Sequence, residues 1–283
     1  MTQWRSRRLW TSLSATALLT PVLGHGVAAE TPEAQDLPSV PVSVLSAQNN
    51  GGEGGEGGEG GEGGGERAID PDRVARDPVA YVTALDVIRA HYLAGIAAYK
   101  AGDRAAAAEM FVHPIGEIYT AMDSLFAMRG VTPFEGEMMA AGDAAFAGAD
   151  EAQVAAAAHA VLEAVTAAES YAPDGDRSAA YVQAQVIADM IDRAALMYSR
   201  ALSDPEGEAY LDGFGYYRAA AARTDDAGDA LAGADVAVAQ AIDAALERLA
   251  AAYPSAARPE ELDADAGALL AAASRVALAS GGL

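Results

Sequence analysis

The chain has 283 residues, 18 of them basic and 41 acidic, for a formal charge of −23, and it contains no cysteine. A disulfide scaffold and thiolate chemistry are thereby excluded, and so negative a surface argues against nucleic acid or anionic lipid as a partner. Hydrophobic residues make up 52% of the chain, enough to bury a core without covalent staples.

Residues 1–29 read as a secretory signal. Arg5, Arg7 and Arg8 precede a short apolar run broken by Pro21, and small residues at Val27 and Ala29 in "HGVAAE" fit a cleavage site. "SRRLW" is similar to a twin-arginine signal without the usual residues after the pair. Export to the periplasm or outside the cell is therefore expected, with no membrane insertion of the mature form. Loss of this segment removes three of the 18 basic residues and none of the 41 acidic ones, leaving a formal charge of −26.

Residues 30–69 form a Pro/Gly/Glu-rich linker, "TPEAQDLPSVPVSV" followed by "NNGGEGGEGGEGGEGGGE". Such repeats carry almost no apolar side chains to bury, so they are predicted to be disordered, kept flexible by glycine and extended by glutamate repulsion.

Residues 70–283 change character. Alanine dominates and apolar residues fall at helical spacing, as in Tyr81, Leu85, Ile88, Tyr92 and Ile96. Helices are predicted at 78–101, 103–129, 133–147, 150–170, 176–202, 205–224, 229–253 and 263–279. Starts are signalled by Asp103, Thr132-Pro133, Asp150, Asp176 and Asp204-Pro205, and stops by Gly102, Gly130 and Pro254. No segment alternates like a strand. The expected fold is all-α, an antiparallel bundle of about seven or eight helices joined by short loops.

The first two long helices form a hairpin about Gly102. His91 lies eleven residues before that glycine and His113 eleven after, so an antiparallel hairpin sets the two imidazoles at one height. Glu109, His113 and Glu117 follow at steps of four along one stripe of an unbroken helix, and Pro114 bends that helix. His159 and Glu163 repeat the H-x-x-x-E spacing. Histidine and carboxylate from facing helices are how bundles hold transition metals. The candidate ligands are therefore His91, His113, Glu117, His159 and Glu163, for a divalent ion such as iron, zinc or copper. The alternative is a set of structural histidines in a bundle that binds a periplasmic protein partner.

Seven methionines from Met110 to Met197 are spaced as core residues rather than as a copper motif. In "EAYLDGFGYYRAAAARTDD" aromatic residues cluster around Gly213 and Gly215. Those glycines admit either a close neighbouring helix or a ligand near Asp212. The usual hydrolase constellations are missing, so no catalytic residue is assigned and the chain is read as non-enzymatic.

The combination of signal, acidic helical bundle and histidine-plus-glutamate helices resembles the imelysin-like proteins. That resemblance implies an exported, all-helical protein tied to iron acquisition. The family motif G-x-H-x-x-E is not matched, because Ala94, Gly116 and Leu162 stand three after the histidines, and no site residue is carried over. The segment from Tyr81 to Tyr119 is also similar to a block in uncharacterised exported bacterial proteins. "AYKAGDRAAAAEMF" resembles one tetratricopeptide unit without a repeat at the required period.

Overall fold

A computed structural model describes residues 69–283. The signal-peptide and linker expectations lie outside the described residues, except for Ile69. In chain order the helices are α1 (Pro71–Val74), α2 (Pro78–Ala101), α3 (Arg104–Pro114), a π-helical turn (Ile115–Tyr119), α4 (Thr120–Arg129) and α5 (Glu135–Phe146). They continue with α6 (Glu151–Ala168), a 3-10 turn (Glu169–Tyr171), α7 (Ala179–Ala201), α8 (Glu208–Ala234), α9 (Val236–Ala252) and α10 (Ala266–Ser280). Among the described residues there is no strand, and no helix is long and apolar enough to cross a membrane.

Short polar caps start several helices, at Asp103 and Asp150 as predicted. Asp77, Asp103, Asp150, Asp235 and Asp265 each accept a backbone N–H from the first turn that follows. Gly102 and Gly130 close α2 and α4 in the left-handed conformation, which glycine adopts without steric cost.

Besides shifts of two starts, from 133 to Glu135 and from 263 to Ala266, four features differ from the prediction. The helix expected from Asp176 begins after Ser178, whose hydroxyl caps Tyr181 N–H at 3.1 Å. The helix expected from Pro205 begins at Glu208, because Asp204 first spends its carboxylate on Glu206 N–H and Ala209 N–H. The break expected near residues 225–228 is absent. Asp225, Asp226, Gly228 and Asp229 stay helical on the outer side while Leu231 is buried, and the chain turns only at Asp235, in extended conformation. Lastly, the helix expected at 103–129 is divided. Pro114 has no N–H to give the Met110 carbonyl, and the chain takes up one wide turn before α4 resumes. Thr120 Oγ1 donates to the Ile115 carbonyl at 2.8 Å across that turn.

α2 is the centre of the bundle. It packs on α3, α6, α7 and α8, and residues Tyr81 to Ile88 are buried consecutively rather than on one stripe. α8 runs antiparallel between α2 and α7. The pair α9–α10 covers α7 on one flank, while α5 and α6 complete the other against α3 and α2. Tyr81 at the start of α2 and Tyr99 near its end donate to the carbonyls of Ala168 and Ala149, fixing α6 antiparallel along it.

The core is threaded with buried phenols, several of which donate to main-chain carbonyls, while the Tyr119 and Tyr198 hydroxyls accept the Phe134 and Ala264 N–H groups. Tyr92 donates to Phe111 at 2.9 Å, Tyr210 to Ser255 at 3.0 Å and Tyr253 to Ala194 at 2.8 Å. Tyr253 is the hub of the α7–α9 side, with the rings of Tyr198, Tyr210 and Tyr217 centred 5.5, 5.1 and 6.4 Å away. Burial pushes Tyr81 and Tyr210 up to about 12, and Tyr92 and Tyr253 higher still, from an ordinary 10.0. A folded-state value above the unfolded one means stability that is complete below pH 10.0 and is lost as pH rises through about 12. The thermal midpoint is expected to fall steeply over that window, with the ultraviolet tyrosinate band rising together with loss of helical circular dichroism. Tyrosinate appearing near its ordinary pH while the helices persist would contradict this packing.

Candidate functional site

The predicted ligands separate into a pair that meets and three that do not join it. His91 on α2 is 4% exposed, and its Nδ1–H donates to the Val87 carbonyl at 2.8 Å. A carbonyl only accepts, so the proton sits on Nδ1 and, in the neutral ring, Nε2 keeps its lone pair. His113, half-buried at the end of α3, has its ring centroid 6.4 Å from that of His91 with the planes at 72°. The hairpin about Gly102 thus brings together the two imidazoles its symmetry suggests.

A third ring completes the junction. Tyr216 of α8 stands 6.4 Å from His91 on centroids at 82°, and the Arg193 guanidinium lies 5.6 Å over its face. The backbone permits this. A Cβ on Gly215 would sit 2.5 Å from the Ala90 carbonyl oxygen, so only glycine lets α8 lie this close to α2 beside His91.

Glu117, His159 and Glu163 are exposed. The reason for Glu117 is the π turn. The additional residue it accommodates turns the following chain by roughly 100° relative to an uninterrupted helix, so Glu117 leaves the stripe of Glu109 and His113. His159 and Glu163 occupy the solvent side of α6, whose buried side is Val154, Ala158, Val161 and Val165. Among the described residues no group of three or more His, Asp and Glu side chains is placed to hold a metal ion.

The aromatic stretch of α8 resolves mainly as packing. Tyr210, Phe214 and Tyr216 are buried, and a Cβ on Gly213 would run into the Tyr253 hydroxyl and the Met197 side chain. Asp212, half-buried, lines a cavity of 360 Å³ with Met197, Arg200 and Asp204. Of the methionines, Met110, Met122, Met138, Met190 and Met197 are core residues, while Met128 and Met139 are exposed.

The most elaborate polar feature was not anticipated from the sequence. Asp86, fully buried in α2, accepts Arg223 Nε at 2.5 Å and Nη2 at 2.6 Å, and also Arg89 Nε at 2.9 Å. Arg223 then reaches Glu169 from both terminal nitrogens, at 2.8 and 3.3 Å, and Gln183 from Nη1 at 2.8 Å, so all five of its N–H groups are used. Arg89 adds Glu169 and Thr166. Burial opposes the charge on Arg223, but hydrogen bonds and attraction from Asp86 and Glu169 outweigh it and hold the guanidinium protonated more firmly than usual. Two carboxylates and two guanidinium groups cancel, and a 340 Å³ cavity borders them. The one local hint in the sequence is Asp86 with Arg89 at a spacing of three in an otherwise apolar run. The partners at 169, 183 and 223 come from other helices and leave no pattern.

This closed network is a structural element, and removing one member tests it. Arg223→Met leaves the Asp86 carboxylate buried with only Arg89, and is expected to cost about 3–5 kcal/mol in urea unfolding. Asp86→Leu combined with Arg223→Met is expected to recover a good part of that loss. A single variant as stable as the parent would show that water reaches Asp86. Comparison of the chain with protein-family models, with curated proteins and with solved structures finds no match, so the reading of the histidine junction rests on its own geometry.

Proposed function

We propose that this chain is an exported, periplasmic accessory protein that binds a transition-metal ion (iron, zinc or copper) through His91 and His113, in metal uptake or homeostasis. The observation that supports this reading is the pair itself: two imidazoles from facing helices, 6.4 Å apart on centroids, one of them held by its Nδ1–H on the Val87 carbonyl. A hydrogen bond of that kind orients the ring and leaves the other nitrogen for a ligand, as it does in metal-binding histidines. Glu117, His159 and Glu163 are exposed, so in this reading the ion takes its remaining positions from solvent or from a soft neighbour. Structural zinc sites close all their positions with protein groups. An ion held by two imidazoles exchanges more readily, which suits a carrier or buffer better than a permanent centre. The acidic surface concentrates cations around it.

The rival is a non-enzymatic periplasmic protein-interaction bundle in which the histidines are structural. Met139 and Phe146, seven residues apart on α5 and 54% and 66% exposed, favour it as an apolar surface. The two readings part on metal. Protein purified without chelator is expected to gain about 2.7 kcal/mol of stability when the free ion is at 100 times its dissociation constant, seen as a raised melting temperature. His113→Ala, at a half-buried position, is expected to fold and to lose that gain. A melting temperature indifferent to iron, zinc, copper and manganese would remove the metal reading and leave the interaction bundle.

A further inference from the structure

A cavity of 440 Å³ lies where α1, α2, α7 and α10 meet, and neither His91 nor His113 lines it. Its volume falls in the range of small-molecule sites. Thr83 of α2 lines it and is only 8% exposed. A helical threonine commonly turns its hydroxyl back to a carbonyl of the preceding turn. Thr120, Thr166 and Thr224 do so here. Thr83 does not: among the described residues its Oγ1 has no hydrogen-bond partner, yet it is not sealed from solvent either. Its outlet is the cavity it lines. A nearly buried hydroxyl with nothing to bond is a cost to the fold that a bound polar group removes.

The charge of the lining decides what that group belongs to. Asp70, Asp189 and Asp192 bring three carboxylates against the two guanidinium groups of Arg73 and Arg193. Arg193 gives its Nε–H to Asp189 at 2.7 Å and lies over the Tyr216 ring, while Arg73 gives its own to Asp77, outside the lining, at 3.2 Å. The balance is negative, in a chain of formal charge −23, which repels an anion and attracts a cation. A bare metal ion fits poorly. No group of three His, Asp and Glu side chains assembles to hold one among the described residues, and the methyl groups of Val79, Ala80, Ala188 and Ala277 replace none of its water. An organic ammonium uses both kinds of wall: its N–H groups meet carboxylate and hydroxyl, and its carbon body displaces water from the methyl groups. We propose that this cavity binds a small organic amine in its ammonium form, with Thr83 on α2 and the carboxylates of Asp189 and Asp192 on α7 as its polar contacts.

The test uses the full chain and 3-methylbutylamine as the probe. Its uncharged counterpart is 3-methylbutanol, and leucine is the same amine carrying a carboxylate. Calorimetric titration at neutral pH is expected to show one amine site per chain, with the alcohol and leucine bound roughly tenfold more weakly. Thr83→Val keeps the shape of the side chain and removes only the hydroxyl. The melting temperature of the free protein is therefore expected to stay at or above the parent's, while amine affinity falls about tenfold. Asp192→Asn is expected to weaken the amine by a similar factor and to flatten its dependence on salt. The site is overturned by an alcohol bound as tightly as the amine, by leucine bound more tightly, by displacement of the amine with calcium, or by no saturable binding at all. Amine affinity unchanged in Thr83→Val would overturn it as well. A lowered melting temperature in that variant would show that the hydroxyl already has a partner in the protein, and would remove the observation on which the site rests.

Discussion

A carboxylate with no access to solvent has to be answered inside the protein, and Asp86 at the heart of α2 sets that demand. Arg223 answers it with a two-pronged bond, and its remaining donors draw in Glu169 and Gln183, so three stretches distant in sequence converge on one helix. Replacing such a cluster by apolar side chains is often neutral or stabilising, so its value does not lie in raw stability. Our reading is that it fixes register. The interfaces of α2, α7 and α8 are rich in alanine, and alanine-lined helices offer nearly equal packing at successive turns. A displacement of α8 by one turn, about 5.4 Å, would leave Asp86 buried without its guanidinium. The cost of that mismatch selects one alignment among several that are otherwise similar.

Small residues then set how near the helices come. Gly95 on α2 faces the Phe111 ring, and Gly215 on α8 faces the Ala90 carbonyl, each too close to admit a Cβ without movement. These two contacts flank His91 in sequence on α2. They draw α3 and α8 to the same stretch of that helix, and His113 and Tyr216 arrive with them. The spacing of the imidazoles is therefore a property of backbone approach and not of any attraction between the rings. The same contacts cost the helices some intrinsic propensity, roughly 1 kcal/mol for each glycine relative to alanine, which burial must offset.

Much of this was legible in the residue order because it is local. Periodicity gave the helical class, Asp103 and Asp150 marked starts, Gly102 and Gly130 marked stops, and counting outward from Gly102 placed His91 opposite His113. The failures are of two physical kinds. Where a competing local choice existed, the chain made the other one: Asp225, Asp226 and Gly228 tolerate the helix because Leu231 gains burial beyond them, and Pro114 widens a turn instead of only bending it. Where the determinant was distant, nothing showed. Arg223 looks like any solvated arginine until α8 is laid on α2, and Glu117 looks like a partner of His113 until the π turn rotates it away.

The two halves of the histidine junction differ in how firmly they are held. His91 sits on the most enclosed helix, tied to the Val87 carbonyl and within the part of the bundle that the Asp86 cluster aligns. His113 is the residue before Pro114, where the regular ladder of α3 gives out and the wide turn from Ile115 to Tyr119 begins. Any adjustment between the rings is borne most cheaply by that second side, since fewer backbone bonds must be broken to shift it. In the metal reading proposed above, a pair with one fixed and one yielding arm takes up an ion by a small motion of the yielding arm and releases it the same way.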